Sequence, residues 1–241
     1  MKGGTQSAIV LGLGLLVVAL FFFLHRSPEQ KALVSRELAT RGLAEHLAGR
    51  FSDRRVLVIS NPFVRDADLP GPIRAQEEAG LRGLRRGFGE HTALAVAYPE
   101  LQPAGRNNPR AAEMDPDATT PMSYLVTNDA FDKLAKENPE CETIVSLIGV
   151  PANLETVDIW QKPGAPRFGL LLPDLRLIGD RAAIIQAMKL GKLAAFVMNK
   201  PGAPAEQAPV QSDHRVEFER RFVLVTPENI EQIVQTYPQL F

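Results

Sequence analysis

The stretch Glu142-Thr-Ile-Val-Ser-Leu-Ile-Gly-Val-Pro-Ala-Asn153 is a short apolar run closed by Gly149 and Pro151. It reads as a strand buried on both faces, which belongs in the middle of a mostly parallel sheet with helices above and below. Residues that leave its end, Gly149 and Asn153, then fall where such sheets bind ligands.

Elements of the same kind lie to either side. Residues 55–60 (RVLVIS), 92–98 (TALAVAY), 167–172 (RFGLLL), 192–198 (KLAAFVM) and 221–225 (RFVLV) predict further strands. Between them, 73–88, 128–137, 181–190 and 227–237 predict helices, with Thr127 and Thr226 as caps for the second and the last. A short irregular or helical piece is expected around 154–160. Strands alternating with helices give an α/β, doubly wound, Rossmann-like sheet of five to six mostly parallel strands. Two segments break the rhythm. Residues 99–122 carry five prolines without a period, and 199–213 carry three more. After the second, Val216 and Phe218 alternate with charges, which would extend the last strand and let it pair antiparallel at the sheet edge.

Ahead of the sheet, residues 8–24 carry no charge and end in Leu-Phe-Phe-Phe-Leu. At ~1.5 Å per residue the run reaches ~25 Å, enough for a thin bilayer. A cleaved signal peptide is the alternative, but His25-Arg26-Ser27-Pro28 provides no small-residue cleavage site. The chain therefore divides into an N-terminal transmembrane anchor (1–26), a helical stalk (27–52) and an α/β domain (53–241). Ser27-Pro28-Glu29 starts the stalk helix well; Leu38, Leu43, Leu47 and Phe51 give it an apolar face, and Gly42 would interrupt it. It either docks on the domain or binds a partner. Arg26, Lys31, Arg36 and Arg41 follow the apolar run against Lys2 before it, so charge counting alone places the domain in the cytoplasm.

With 241 residues, 45% hydrophobic, 23% charged and a net charge of -1, the composition makes no electrostatic case for nucleic acid. The lone Cys141 excludes an intrachain disulfide and reads as a buried small hydrophobe. His25, His46, His91 and His214 have no ligand-like spacing, and no Gly-x-Ser-x-Gly elbow occurs. Met114-Asp-Pro-Asp117 is a turn rather than a calcium loop. The glycines at 80, 83, 87 and 89 follow the first strand too distantly to cradle a phosphate; they predict close helix packing and a C-cap, with Arg74, Arg82, Arg85 and Arg86 on a solvated face. No cofactor, metal or catalytic residue is indicated, and an enzymatic reading has no motif behind it. What recurs is polar residues and proline after the strands: Asn61-Pro62-Phe63, Tyr98-Pro99-Glu100, Asn153, Pro173-Asp174 and Asn199-Lys200-Pro201. Residue for residue they read first as good turns, and amides, carboxylates and aromatics at these ends could also bind a polar small molecule.

Four of these stretches carry a resemblance. Residues 56–63 (VLVISNPF), 141–151, 183–201 (AIIQAMKLGKLAAFVMNKP) and 221–229 (RFVLVTPEN) resemble segments of the type I periplasmic sugar-binding proteins. The resemblance implies a truncated, single-lobe version of that fold, an extracytoplasmic domain, and ligand contacts at Asn61, Phe63 and Asn199. Val64 stands where that family carries a second aromatic, and Asn199-Lys200 where it carries Gln-Asp. The expectation is a single-pass cell-membrane protein held by residues 8–24, a non-enzymatic module for a polar small molecule, with candidate contacts Asn61, Phe63, Gly149, Asn153 and Asn199. The alternative is an assembly protein whose α/β domain contacts a membrane partner.

Overall fold

The computed structural model describes residues 27–66, 70–103, 116–164, 166–205 and 208–241. The apolar run 8–24, the middle of the proline-rich stretch 99–122 and part of the 114–117 turn lie outside the described residues. Among the described residues, no helix is long and apolar enough to cross a membrane.

Helix α1 (Pro28–Arg50) opens the described chain, followed by β1 (Arg55–Ile59), α2 (Gly71–Phe88), β2 (Ala93–Ala97), α3 (Met122–Leu125) and α4 (Ala130–Glu137). Then come β3 (Thr143–Ser146), α5 (Asp158–Gln161), β4 (Arg167–Leu171), α6 (Arg181–Lys189), β5 (Leu193–Asn199), α7 (His214–Arg221), β6 (Phe222–Val225) and α8 (Ile230–Thr236). The six strands form one sheet in the order β2-β1-β3-β4-β5-β6. All neighbours are parallel except β5 and β6, whose antiparallel pairing joins Phe196 to Val225. The 142–153 stretch thus supplies a central strand, and Thr143 to Ser146 are all buried.

Each strand is an apolar run because both sheet faces are covered. One face carries Leu57, Ile59, Ile144, Phe168, Leu170 and Phe196 beneath α4, α6 and α8, with Phe131, Leu134, Ile184 and Ile230. The other carries Val56, Val58, Val145, Leu171 and Val197 beneath α1 and α2. Cys141 is buried among the first set, and burial pushes its thiol pKa up.

Helix α1 is docked, not free. Its Ser27 cap and Gln30 exchange side-chain hydrogen bonds with each other's backbone in a capping box. Leu43 and Leu47 are fully buried against the sheet, a contribution of about 1.5–3 kcal/mol each. The predicted interruption at Gly42 does not occur; the helix runs through because Gly42 makes room for the Phe218 ring, which would lie 2.3 Å from an added Cβ. The glycines of α2 face α1 in the same way. A Cβ at Gly83 or Gly87 would come within 2.2 Å of the Glu37 carbonyl or 2.6 Å of the Arg41 carbonyl. Gly89 ends α2 at φ 73°, the expected C-cap. Of the four arginines assigned to solvent, Arg82 and Arg86 pair with Glu37 of α1.

Three local expectations are corrected. Residues 214–221 are helix, not strand: Asp213 accepts from the Arg215 and Val216 amides, and Glu217 pairs with Arg221 one turn on. Thr127 does not cap α4; its hydroxyl donates to Asp129, which occupies the cap position. Thr226 precedes a turn, and α8 starts three residues late, after Asn229 has accepted from the Thr226 amide.

Candidate functional site

The strand order reverses between β1 and β3, and the connections leaving them go to opposite faces, the position where open α/β sheets characteristically bind ligands. At the β1 side, Asn61 Oδ1 accepts from the Phe63 amide at 3.0 Å and starts the 3-10 turn Pro62–Arg65. Both side chains are half-buried, and Phe63 rests on the core. Arg65 lies over the Tyr98 ring, 5.8 Å from its centroid.

Beneath the turn sits a relay that sequence reading missed. Buried Ser60 donates through Oγ to Glu77 Oε2 at 2.9 Å. The other oxygen of Glu77 accepts from Arg36 Nη2 at 2.7 Å, and Arg36 Nε donates to the Gln76 carbonyl at 3.0 Å. The available signal was Glu77 itself, which stands three residues before Gly80 and seven before Leu84 on the packed side of α2.

The relay borders a cavity of about 400 Å³ at the ends of β4 and β5. Its walls include Ala39, Leu171, Leu172, Pro204 and Phe222, with Ser35, Gln76 and Asn199 supplying polar side chains. Arg36 and Arg221 also line it, and both charges are already matched. Arg36 pairs with Glu77. Arg221 pairs with Glu217 and donates to the Ala205 and Ala208 carbonyls at 3.2 and 2.9 Å. Glu217 is fully buried; burial would raise its pKa, but hydrogen bonds from Arg220 and Arg221 outweigh this and hold it below the ordinary carboxylate range. Ser35, Gln76 and Asn199, in contrast, make no side-chain hydrogen bond with the described residues. Leu172 has φ 45°, the only non-glycine residue in the left-handed region among those described. That conformation costs a leucine about 1–2 kcal/mol, and such outliers concentrate at functional sites.

The five sequence candidates do not converge on one spot. Asn61 and Phe63 follow β1 and Gly149 follows the neighbouring strand β3, whereas Asn199 lines the cavity two strands further on. Gly149 is buried: at φ 79° it lies under Thr120 and Ser123, whose atoms would be 3.1–3.2 Å from an added Cβ. Asn153 is exposed, and its amide donates to Asn128 Oδ1 at 3.1 Å. The segment over Gly149 is fastened to the end of β4. Asp174 is held by Arg176 at 2.7 Å and the Thr119 amide at 3.4 Å, and these bonds, Arg176 first, pull its pKa below the usual carboxylate range. No cluster of metal-binding side chains occurs among the described residues.

No protein-family model and no curated protein matches the chain. Among solved structures it is similar to the ABC-transporter periplasmic solute-binding protein of Actinobacillus succinogenes 130z with bound D-allose. The TM-score is 0.45 at 14% identity, over 83% of this chain and 62% of that one. The sugar-binding protein of a Bacillus halodurans sugar ABC transporter gives 0.44 at 13% identity, over 82% and 64%. An arabinose-binding protein of Geobacillus stearothermophilus gives 0.43 at 12% identity, over 82% and 62%. The chain thus spans a little under two thirds of each.

Proposed function

We propose that this chain is a non-enzymatic module that binds a polar small molecule at the carboxyl ends of its strands and is held at the cell membrane by residues 8–24, with the α/β domain extracytoplasmic. The observation that carries the reading is the cavity at the carboxyl ends of β4 and β5, where Ser35, Gln76 and Asn199 offer uncommitted hydrogen-bonding groups among apolar walls. Ligand sites have this make-up: mostly apolar, with a few polar groups that fix orientation. Ser35, Gln76 and Asn199 are the proposed contacts in this cavity, and Asn61 and Phe63, which are not among its lining residues, are proposed as contacts at the neighbouring end of β1. Gly149 and Asn153 are assigned to the fold, the first beneath Thr120 and the second bonded to Asn128.

The full chain in detergent micelles, screened with sugars, nucleosides, amino acids and small anions, should melt at higher temperature with one of these classes, since a ligand of the folded state stabilises it. An unchanged melting temperature across the panel contradicts the reading. A second reading, assembly with a membrane protein, draws on one feature: a cavity of about 470 Å³ lined by Phe218, Phe222, Leu224, Ile233 and Tyr237 beside the edge strand β6. A partner captured in the membrane, together with a silent ligand screen, would favour it.

A further inference from the structure

The direction of α1 decides which end of the domain meets the proposed anchor. Near its start, Ala32, Ser35 and Arg36 share the cavity wall with Leu171 and Asn199, at the carboxyl ends of β4 and β5. Near its finish, His46 and Arg50 share a second cleft with Arg167, Gly191 and Ala194, at the amino ends of the same strands. Arg50 also pairs with Glu228, just past the far end of antiparallel β6, at 2.6 Å. Helix α1 therefore runs against the parallel strands, from the cavity end to the opposite end.

The connection to the apolar run is short. Only His25 and Arg26 separate Leu24 from the Ser27 cap, and two residues span at most ~7 Å. The 23 residues of α1 extend ~34 Å from there to the other end of the domain. A linker of that length lets the domain tilt but not turn its cavity end away. The rim at this end carries Ile73, which is 41% exposed near the start of α2, next to exposed Arg74. Arg65, Lys31 and Lys200 lie on the same rim with Glu29 and Asp66, so together with Arg74 it carries a small basic excess.

We infer that the cavity rim lies against the bilayer surface, so that the cavity opens into the lipid headgroup layer and takes a ligand that resides in or crosses that layer. This rests on the proposed anchor at residues 8–24. The basic excess of the rim favours a headgroup layer that contains anionic lipid.

The test uses the full chain in phosphatidylcholine vesicles, with Cys141→Ala removing the buried thiol. A fluorophore is placed at Ile73→Cys on the rim or at Leu190→Cys, 68% exposed at the opposite end. Headgroup-nitroxide lipid should quench the label at 73 several-fold more than the label at 190, and anionic lipid should increase the difference. Equal quenching, stronger quenching at 190 or none at either site, in protein that floats with the vesicles, overturns the orientation alone. Protein that does not float overturns the anchor as well.

Discussion

Gly83 of α2 and Glu37 of α1 approach so closely that a Cβ on the glycine would lie 2.2 Å from the Glu37 carbonyl oxygen and 2.0 Å from Thr40 Oγ1. Neither obstacle can yield cheaply, because one is helix backbone and the other a hydroxyl that donates to the Arg36 carbonyl at 3.0 Å. The contact fixes α1 on the same face as α2, and with it the roof of the cavity.

Gly83→Ala should therefore destabilise the protein, although alanine favours a helix over glycine by roughly 1 kcal/mol. Overpacking of this kind costs about 1–3 kcal/mol. Urea unfolding of wild type and variant measures the difference. A more stable variant would show that α1 is not seated as described.

Glu217→Gln should be more damaging. The carboxylate is fully buried between Arg220 and Arg221 and also accepts from the Gln211 amide at 3.2 Å. Breaking a buried pair leaves an uncompensated guanidinium and costs about 3–5 kcal/mol. The same unfolding measurement applies, and a loss below 1 kcal/mol, roughly the value of an exposed pair, would contradict the burial of Glu217.

Asp174 gives a pH dependence with a definite sign. Its folded-state pKa is lowered, chiefly by Arg176, so its contribution is present above the unfolded carboxylate pKa and is lost as pH falls through the folded-state value. Melting temperature should fall more steeply in wild type than in Asp174→Asn as pH drops below the ordinary carboxylate pKa of about 4. Parallel pH profiles would show that the fastening between Thr119 and the β4 end carries no stability.

Gly149→Ala should unfold or loosen the segment 120–123, since the residue combines φ 79° with contacts to Thr120 and Ser123. Hydrogen exchange of the Ser123 amide, which bonds the Thr120 carbonyl, would report it. Unchanged protection there would mean that the loop is not packed on Gly149.

The sheet was legible in the sequence because burial on both faces turns each strand into an apolar run, and because Gly83, Gly87 and Gly89 announce packing and a cap by position. The helix at 214–221 was not legible. Its Val216 and Phe218 mimic a strand's alternation, while its helical signature is an ion pair, Glu217 with Arg221, in a buried setting that sequence alone does not mark. Asn199 was visible as a polar residue at a strand end. The Ser60–Glu77–Arg36 relay and the Ser35 and Gln76 walls were not, because they depend on α1 folding back across the sheet and joining residues about forty positions apart.

The most direct test of the binding account is the affinity of the stabilising ligand class for three proteins: wild type, Asn199→Ala and Ser35→Leu. Calorimetry on the full chain in micelles gives the numbers. Loss of one hydrogen bond at Asn199, about 1 kcal/mol, predicts roughly five-fold weaker binding. The leucine at 35 projects into the cavity and should abolish binding while the melting temperature of the free protein stays within a few degrees of wild type. Wild-type affinity in both variants would contradict the account and remove the cavity as the site.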